Sequence, residues 1–231
     1  MTSTTSGTTA FNLDFPELVE EAFERAGAEL RSGYDLKTAR RSMNLLFADW
    51  ANRGINLWTI DSGTLNMLAG TATYVLPVDT VDLIDHVVRT GAGNASTQAD
   101  LTCNRISAST YATIPNKLSP GRPLQIWIQR LEIPQVTVWP VPDHNSTYQL
   151  VYWRLRRIQD AGNGANTPDV PFRFLPALVS GLAYYLSLKI PGGLERLQML
   201  KAQYDEDWGL ASSEDRDRST LRLVPNVARV G

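Results

Sequence analysis

Apolar positions recur at helical spacing near both ends of the chain and at strand spacing between them. Phe15, Leu18, Val19, Ala22, Phe23, Ala26 and Leu30 follow the three-and-four step of one helix face, with Glu20, Glu21, Glu24 and Arg25 on the other. Asp14 stands where an N-cap belongs, Pro16 and Glu17 suit a first turn, and Ser32-Gly33 ends the run. A second helix is predicted from Asp35, with Leu36, Ala39, Met43, Leu46, Phe47 and Trp50 as its apolar face and Arg53-Gly54 as its end. The short connection makes the pair a helical hairpin.

The period then shortens. Asn56–Ile60, Leu65–Leu68, Thr73–Leu76 and Leu83–Arg89 read as strands, with Asp61-Ser-Gly63 and Ala69-Gly70 as turns. Leu124–Arg130 and Thr147–Ile158 alternate most clearly, and Gln135–Pro142 is a strand halted by its prolines. Residues 91–123, rich in Gly, Pro and Ser, admit two readings: a protruding loop or an extra hairpin. Helical spacing returns at 174–186, where small residues oppose the apolar ones, so that helix is buried on several sides. After Pro191-Gly-Gly193, Leu194, Leu197, Leu200, Tyr204 and Trp208 mark a last helix.

The order predicts an α+β fold: a helical bundle from the N- and C-terminal helices, with a central, mostly antiparallel β insertion. The expected divisions are a disordered Ser/Thr-rich arm at 1–12, a discontinuous bundle at 13–55 and 168–218, a β domain at 56–167, and an extended docking tail at 219–231. In that tail Leu221, Leu223, Val224 and Val227 alternate with Arg222 and Arg229, and Pro225 opposes a helix, as in a segment that lies along another surface.

Composition narrows the function classes. Twenty-two basic against 24 acidic residues give a net charge of −2, without the basic excess of a dedicated nucleic-acid binder. The N-terminal run has neither a basic nor an apolar signal region. The uncharged stretch between Arg173 and Lys189 is shorter than the roughly 20 residues of a membrane span, so no membrane role is expected. Chemistry is sparse. His86 and His144 have no metal-spaced partner, and Cys103 has no histidine nearby to activate it. Gly91-Ala-Gly93 and Gly162-Asn-Gly164 open no helix, and Asp205-Glu-Asp207 and Glu214-Asp215 read as solvated faces. No catalytic residue, metal or cofactor is expected.

Three surfaces remain. Lys37, Arg40 and Arg41 on the second helix suit either a helix-turn-helix contact to DNA or an ionic contact to Glu20, Glu21 and Glu24, within the chain or on an adjacent copy. The acidic first helix disfavours DNA. Trp127, Trp139 and Trp153, on successive strands, suit either a packed core or an exposed stacking platform for carbohydrate.

The ordered elements resemble a known family. Leu45-Leu46-x-x-x-Trp50 leads into Gly54, followed by Tyr74-x-Leu76-Pro77, Val87-x-Arg89, Val138-Trp139-Pro140-Val141-Pro142, Tyr152-x-Arg154, and a 177–189 helix carrying Ala183-Tyr184-Tyr185. This set is similar to the head–tail adaptor (connector) proteins of tailed bacteriophages, the group that includes tail tubular protein A. The resemblance covers residues 15–210 as an order of elements. It implies a non-enzymatic virion protein, made in the host cytoplasm, that forms a homo-oligomeric ring, commonly a dodecamer, between the portal and a downstream tail or nozzle protein. It also implies that DNA passes through the lumen without sequence-specific binding. On this view Leu221, Arg222, Leu223, Val224, Val227 and Arg229 dock on the portal. Glu20, Glu21 and Glu24 pair with Lys37, Arg40 and Arg41 at subunit contacts.

Overall fold

A computed structural model describes residues 6–9, 11–31, 33–54, 57–162 and 166–216. The chain divides into two compact units, residues 1–42 with 171–231, and residues 43–170. The fold is α+β, with helices toward both ends of the chain and strands at its centre.

In the helical unit, α1 spans Phe15–Ala26. Asp14 accepts the Glu17 amide at 3.0 Å while the Glu17 carboxylate accepts the Asp14 amide, a reciprocal cap that satisfies two amides of the first turn. The helix stops before Leu30, because Gly27 takes a left-handed conformation (φ 85°) and its amide returns to Phe23 and Glu24. Helix α2, Gly33–Asn52, of which residues 33–42 belong to this unit, starts two residues ahead of Asp35, whose carboxylate accepts the Arg31 amide at 3.2 Å. Helix α4, Leu175–Ser187, packs against both α1 and α5 (Leu197–Glu214). That double contact is why Ala177, Ser180, Gly181 and Ala183 are buried along with Leu178, Leu182 and Leu186.

The β unit contains two four-stranded sheets. The first, ordered β1-β8-β3-β4, is antiparallel throughout: β1 is Ile60–Asn66, β3 Thr80–Thr90, β4 Ala99–Thr102 and β8 Tyr148–Arg156. The second, ordered β2-β7-β6-β5, comprises β2 (Thr73–Val75), β5 (Asn104–Arg105), β6 (Gln125–Gln129) and β7 (Gln135–Trp139), with β5 and β6 parallel. Leu83, Val88, Leu150 and Tyr152 of the first sheet share one core with Tyr74, Ile126, Ile128, Val136 and Val138 of the second.

Local chemistry moves several boundaries. Asp61-Ser-Gly63 lies inside β1 rather than in a turn. Gly63 faces Tyr152 across the ladder, and a Cβ there would meet the tyrosine ring at 2.5 Å, so the glycine makes room for the ring. Register shifts in β3 leave Ile84 on the solvent side, and the Asp82 and Asp85 carboxylates accept the amides of Leu83 and His86 there. Segment 91–123 resolves toward the hairpin reading at its start. β4 returns along β3 through a turn with Gly91 and Gly93 at positive φ. The rest crosses to the second sheet as β5 and the one-turn helix α3, Ala108–Ala112. The Trp139–Pro140 peptide bond is cis.

Candidate assembly surfaces

The two acidic positions of α1 that are free of local work face outward. Glu17 belongs to the cap, and Glu21 pairs with Arg25 one turn on at 2.8 Å. Glu20 and Glu24 are exposed and engage no side chain among the described residues. All four carboxylates line one side of a cavity of about 690 Å³. Its apolar walls come from Phe11 and Leu13 ahead of α1, from Phe172, and from Leu175, Pro176 and Val179 of α4. Phe11 and Phe172 meet edge to face, with ring centroids 6.3 Å apart, yet each stays about two-thirds exposed (65% and 68%). Arg173, also on the wall, pairs with Asp215 at the end of α5. Asp215 is thus turned inward, correcting its reading as a solvated face, while Asp205 and Glu206 do face solvent. Asp207 buries one carboxylate oxygen that has no hydrogen-bond partner among the described residues.

The basic positions lie on α2. Lys37 and Arg41 are exposed, and Arg41 donates to Thr38 Oγ1 at 3.3 Å. Arg40 is half-buried. Lys189 follows α4 and donates from Nζ to the buried Ser42 hydroxyl at 2.7 Å. Partial burial, and secondly the charge of Arg41, lower the Lys189 pKa. Lys189 therefore adds a fourth positive charge beside Arg41 of the α2 basic cluster. The portal-docking candidates Leu221, Arg222, Leu223, Val224, Val227 and Arg229 lie outside the described residues. Past α4, Leu188, Leu194, Met199 and Leu210 are exposed apolar side chains of the helical unit.

Several charges of the β unit are absorbed into the fold, while Arg122, Glu132 and Arg157 stay exposed. Arg154, 8% exposed, donates to Asp79 (2.5 Å), Asp61 (3.1 Å) and Thr80 (3.1 Å). Its guanidinium holds the Asp79 carboxyl below the usual carboxylate range. Arg156 grips Asp169 with two nitrogens, and Asp169 also accepts the Gln159 amide. Arg89 forks onto Asp100 across β3 and β4, and Arg105 of β5 pairs with Asp82 of β3, joining the two sheets. His144 pairs with Asp143 at 2.9 Å. Both ring nitrogens of His86 are buried without a hydrogen-bond partner among the described residues, and burial lowers its pKa. Burial pushes the Cys103 thiol up to about 12, which opposes thiolate chemistry at neutral pH.

The three tryptophans do not make one platform. Trp153 belongs to the first sheet, whereas Trp127 and Trp139 lie on the second. There, Tyr111 of α3 stacks on Trp127 (centroids 5.1 Å apart), Lys117 lies 5.6 Å from the Tyr111 ring centre, and Trp139 donates to the Asn116 carbonyl at 3.0 Å. The segment after β5 thus takes up one ring face of Trp127, while Trp153 stays partly exposed on the other sheet. Among the described residues, no cluster of three His, Cys, Asp or Glu suits a metal, and no helix is long and apolar enough to cross a membrane.

Phe11, Phe172 and Arg173 were not singled out from sequence, because the cavity joins segments some 160 positions apart. The outward Glu20 and Glu24 and the apolar positions Leu175 and Val179 were the parts of this surface visible in one dimension. Among curated proteins, no sequence matches the chain. A family model described as SU10 adaptor protein matches residues 9–229.

Proposed function

The chain belongs to the SU10 adaptor protein family, a family of structural adaptors of phage virions, and on that premise we propose that it forms the ring joining portal to tail. One observation carries this reading: the family match runs through the terminal helices and the β centre alike. The ring has twelve copies, as the resemblance to tail tubular protein A-like adaptors implies. Its bore passes DNA without gripping it, which suits a net charge of −2, since a basic lining would hold phosphates. Subunits meet through Glu20, Glu21 and Glu24 on one copy and Lys37, Arg40 and Arg41 on the next. The exposed apolar side chains Leu194, Met199 and Leu210 favour a partner for the helical unit, because water contact with such side chains is relieved by association. Leu221, Arg222, Leu223, Val224, Val227 and Arg229 grip the portal, and a tail or nozzle protein follows below. The protein is not an enzyme in this reading.

The test is reconstitution. The full chain mixed with the portal protein of the same phage gives a co-migrating complex, seen in negative stain as a ring on the portal. Absence of any complex would overturn the reading. Removing residues 217–231 while keeping α5 abolishes the complex if the tail is the grip. Retained binding sinks that assignment alone.

A further inference from the structure

The cavity beside α1 has an unusual combination of walls: apolar at Phe11, Phe172, Leu175 and Val179, acidic at Glu20 and Glu24. A ligand that fits it is an apolar chain segment carrying positive charge. The sequence holds one such segment, 217–231, where Leu221, Leu223, Val224 and Val227 are interspersed with Arg218, Arg222 and Arg229 against the single Asp217. The described chain ends at the cavity's edge. Asp215 closes α5 and is held by Arg173, itself a wall residue, so residue 216 leaves from there. At roughly 3.3 Å per extended residue, Leu221 and Arg222 reach about 20 Å beyond that anchor, and Arg229 about twice as far. Pro225 has no amide hydrogen to give a helix, so the sequence of the segment suits an extended run.

We infer that in the free chain residues 220–229 lie in their own chain's groove between α1 and α4. Their apolar side chains cover Phe11 and Phe172, and Arg222 or Arg229 meets Glu20 and Glu24. The occupant is intramolecular because the anchor delivers the segment at high effective concentration, without a second copy. The inference concerns the chain before it meets any partner and does not depend on a portal being the tail's final target. If the tail does grip a portal, the groove must release it first.

The experiment is limited trypsin digestion of the full chain, with cleavage after Arg222 and Arg229 followed by mass spectrometry. Docking slows both cuts relative to the variant E20K/E24K, whose groove repels arginine, by about tenfold at matched enzyme. A second variant, L221S/L223S, changes only the tail and so leaves the helices intact. It shows the same acceleration. Equal cleavage rates in the unmodified chain and L221S/L223S overturn the inference. Dilution separates the sources: protection independent of protein concentration supports docking within one chain. Protection that vanishes on dilution means a second copy supplies the tail, and overturns it. Loss of portal binding with protection intact would count against the assembly role alone.

Discussion

The two units handle charge in opposite ways. In the β unit, Arg154 satisfies two carboxylates and a hydroxyl, Arg156 is clasped by Asp169, and Arg89 and Arg105 each find an aspartate on another strand. Arg154 to Asp61 joins β8 to β1, and Arg105 to Asp82 joins the two sheets, beside the apolar core between them. In the helical unit, Glu21 and Arg25 pair within one helix, while Glu20 and Glu24 stand exposed beside apolar rings. A surface whose charges are already paired gains little by meeting another chain. One with free carboxylates around exposed phenylalanines gains both ionic contact and apolar burial. On the proposed function, that difference makes the cavity beside α1 the better candidate for recognition, although the β unit also keeps Val75, Val78, Leu118 and Ile133 exposed.

The largest expected effect lies in the sheet core. Leu150→Ala, at a position with no solvent exposure, lowers unfolding stability by about 3 kcal/mol in urea titration. A loss below roughly 1 kcal/mol would show that the core between the sheets is not what holds this unit. Next, Arg154→Met costs about 2 kcal/mol. It strands carboxylates near a buried site, though both are partly open to solvent, which discounts the loss.

Acid sharpens the same point. Arg154 depresses the Asp79 pKa below its ordinary 3.8, so the stabilisation is complete above that value and is lost as pH falls through the lower native pKa. Urea midpoints of the unmodified chain should fall more steeply below pH 4 than those of Arg154→Met, and parallel curves would remove Asp79 from the account. Asp14→Ala, which removes the α1 cap, costs about 1 kcal/mol. The smallest effect on stability is at Met199→Asp, within about 0.5 kcal/mol, because that side chain already faces water. Its consequence should appear instead in ring formation, measured by mass photometry on the portal complex. A large stability loss at Met199, or none at Leu150, would reverse the contrast between the units.

Much of the fold was legible in one dimension. The Asp14 cap, the buried all-round helix near 177 and the alternation at 124–130 are local patterns, and each became the expected element. The misreadings have local causes of another kind. Gly27 ended α1 early because a glycine in the left-handed region outweighs one more apolar residue at Leu30. Asp61-Ser-Gly63 looked like a turn until Tyr152, some ninety residues away, supplied the ring that needs the glycine. Asp215 looked solvated until Arg173 came alongside.

Taken alone, the sequence determined the α+β order, the caps, the acidic face of α1 and the basic face of α2, and the want of His and Cys chemistry. Each depends on residue type and on spacings of a few positions, which propensity and amphipathic period control directly. Only the tertiary structure decided which tryptophans share a sheet, which arginines are absorbed into the β unit, and that Phe11, Phe172 and Glu20 border one cavity. Those outcomes depend on pairing register and on packing between segments from eleven to some 160 residues apart, and no helical or strand period encodes them.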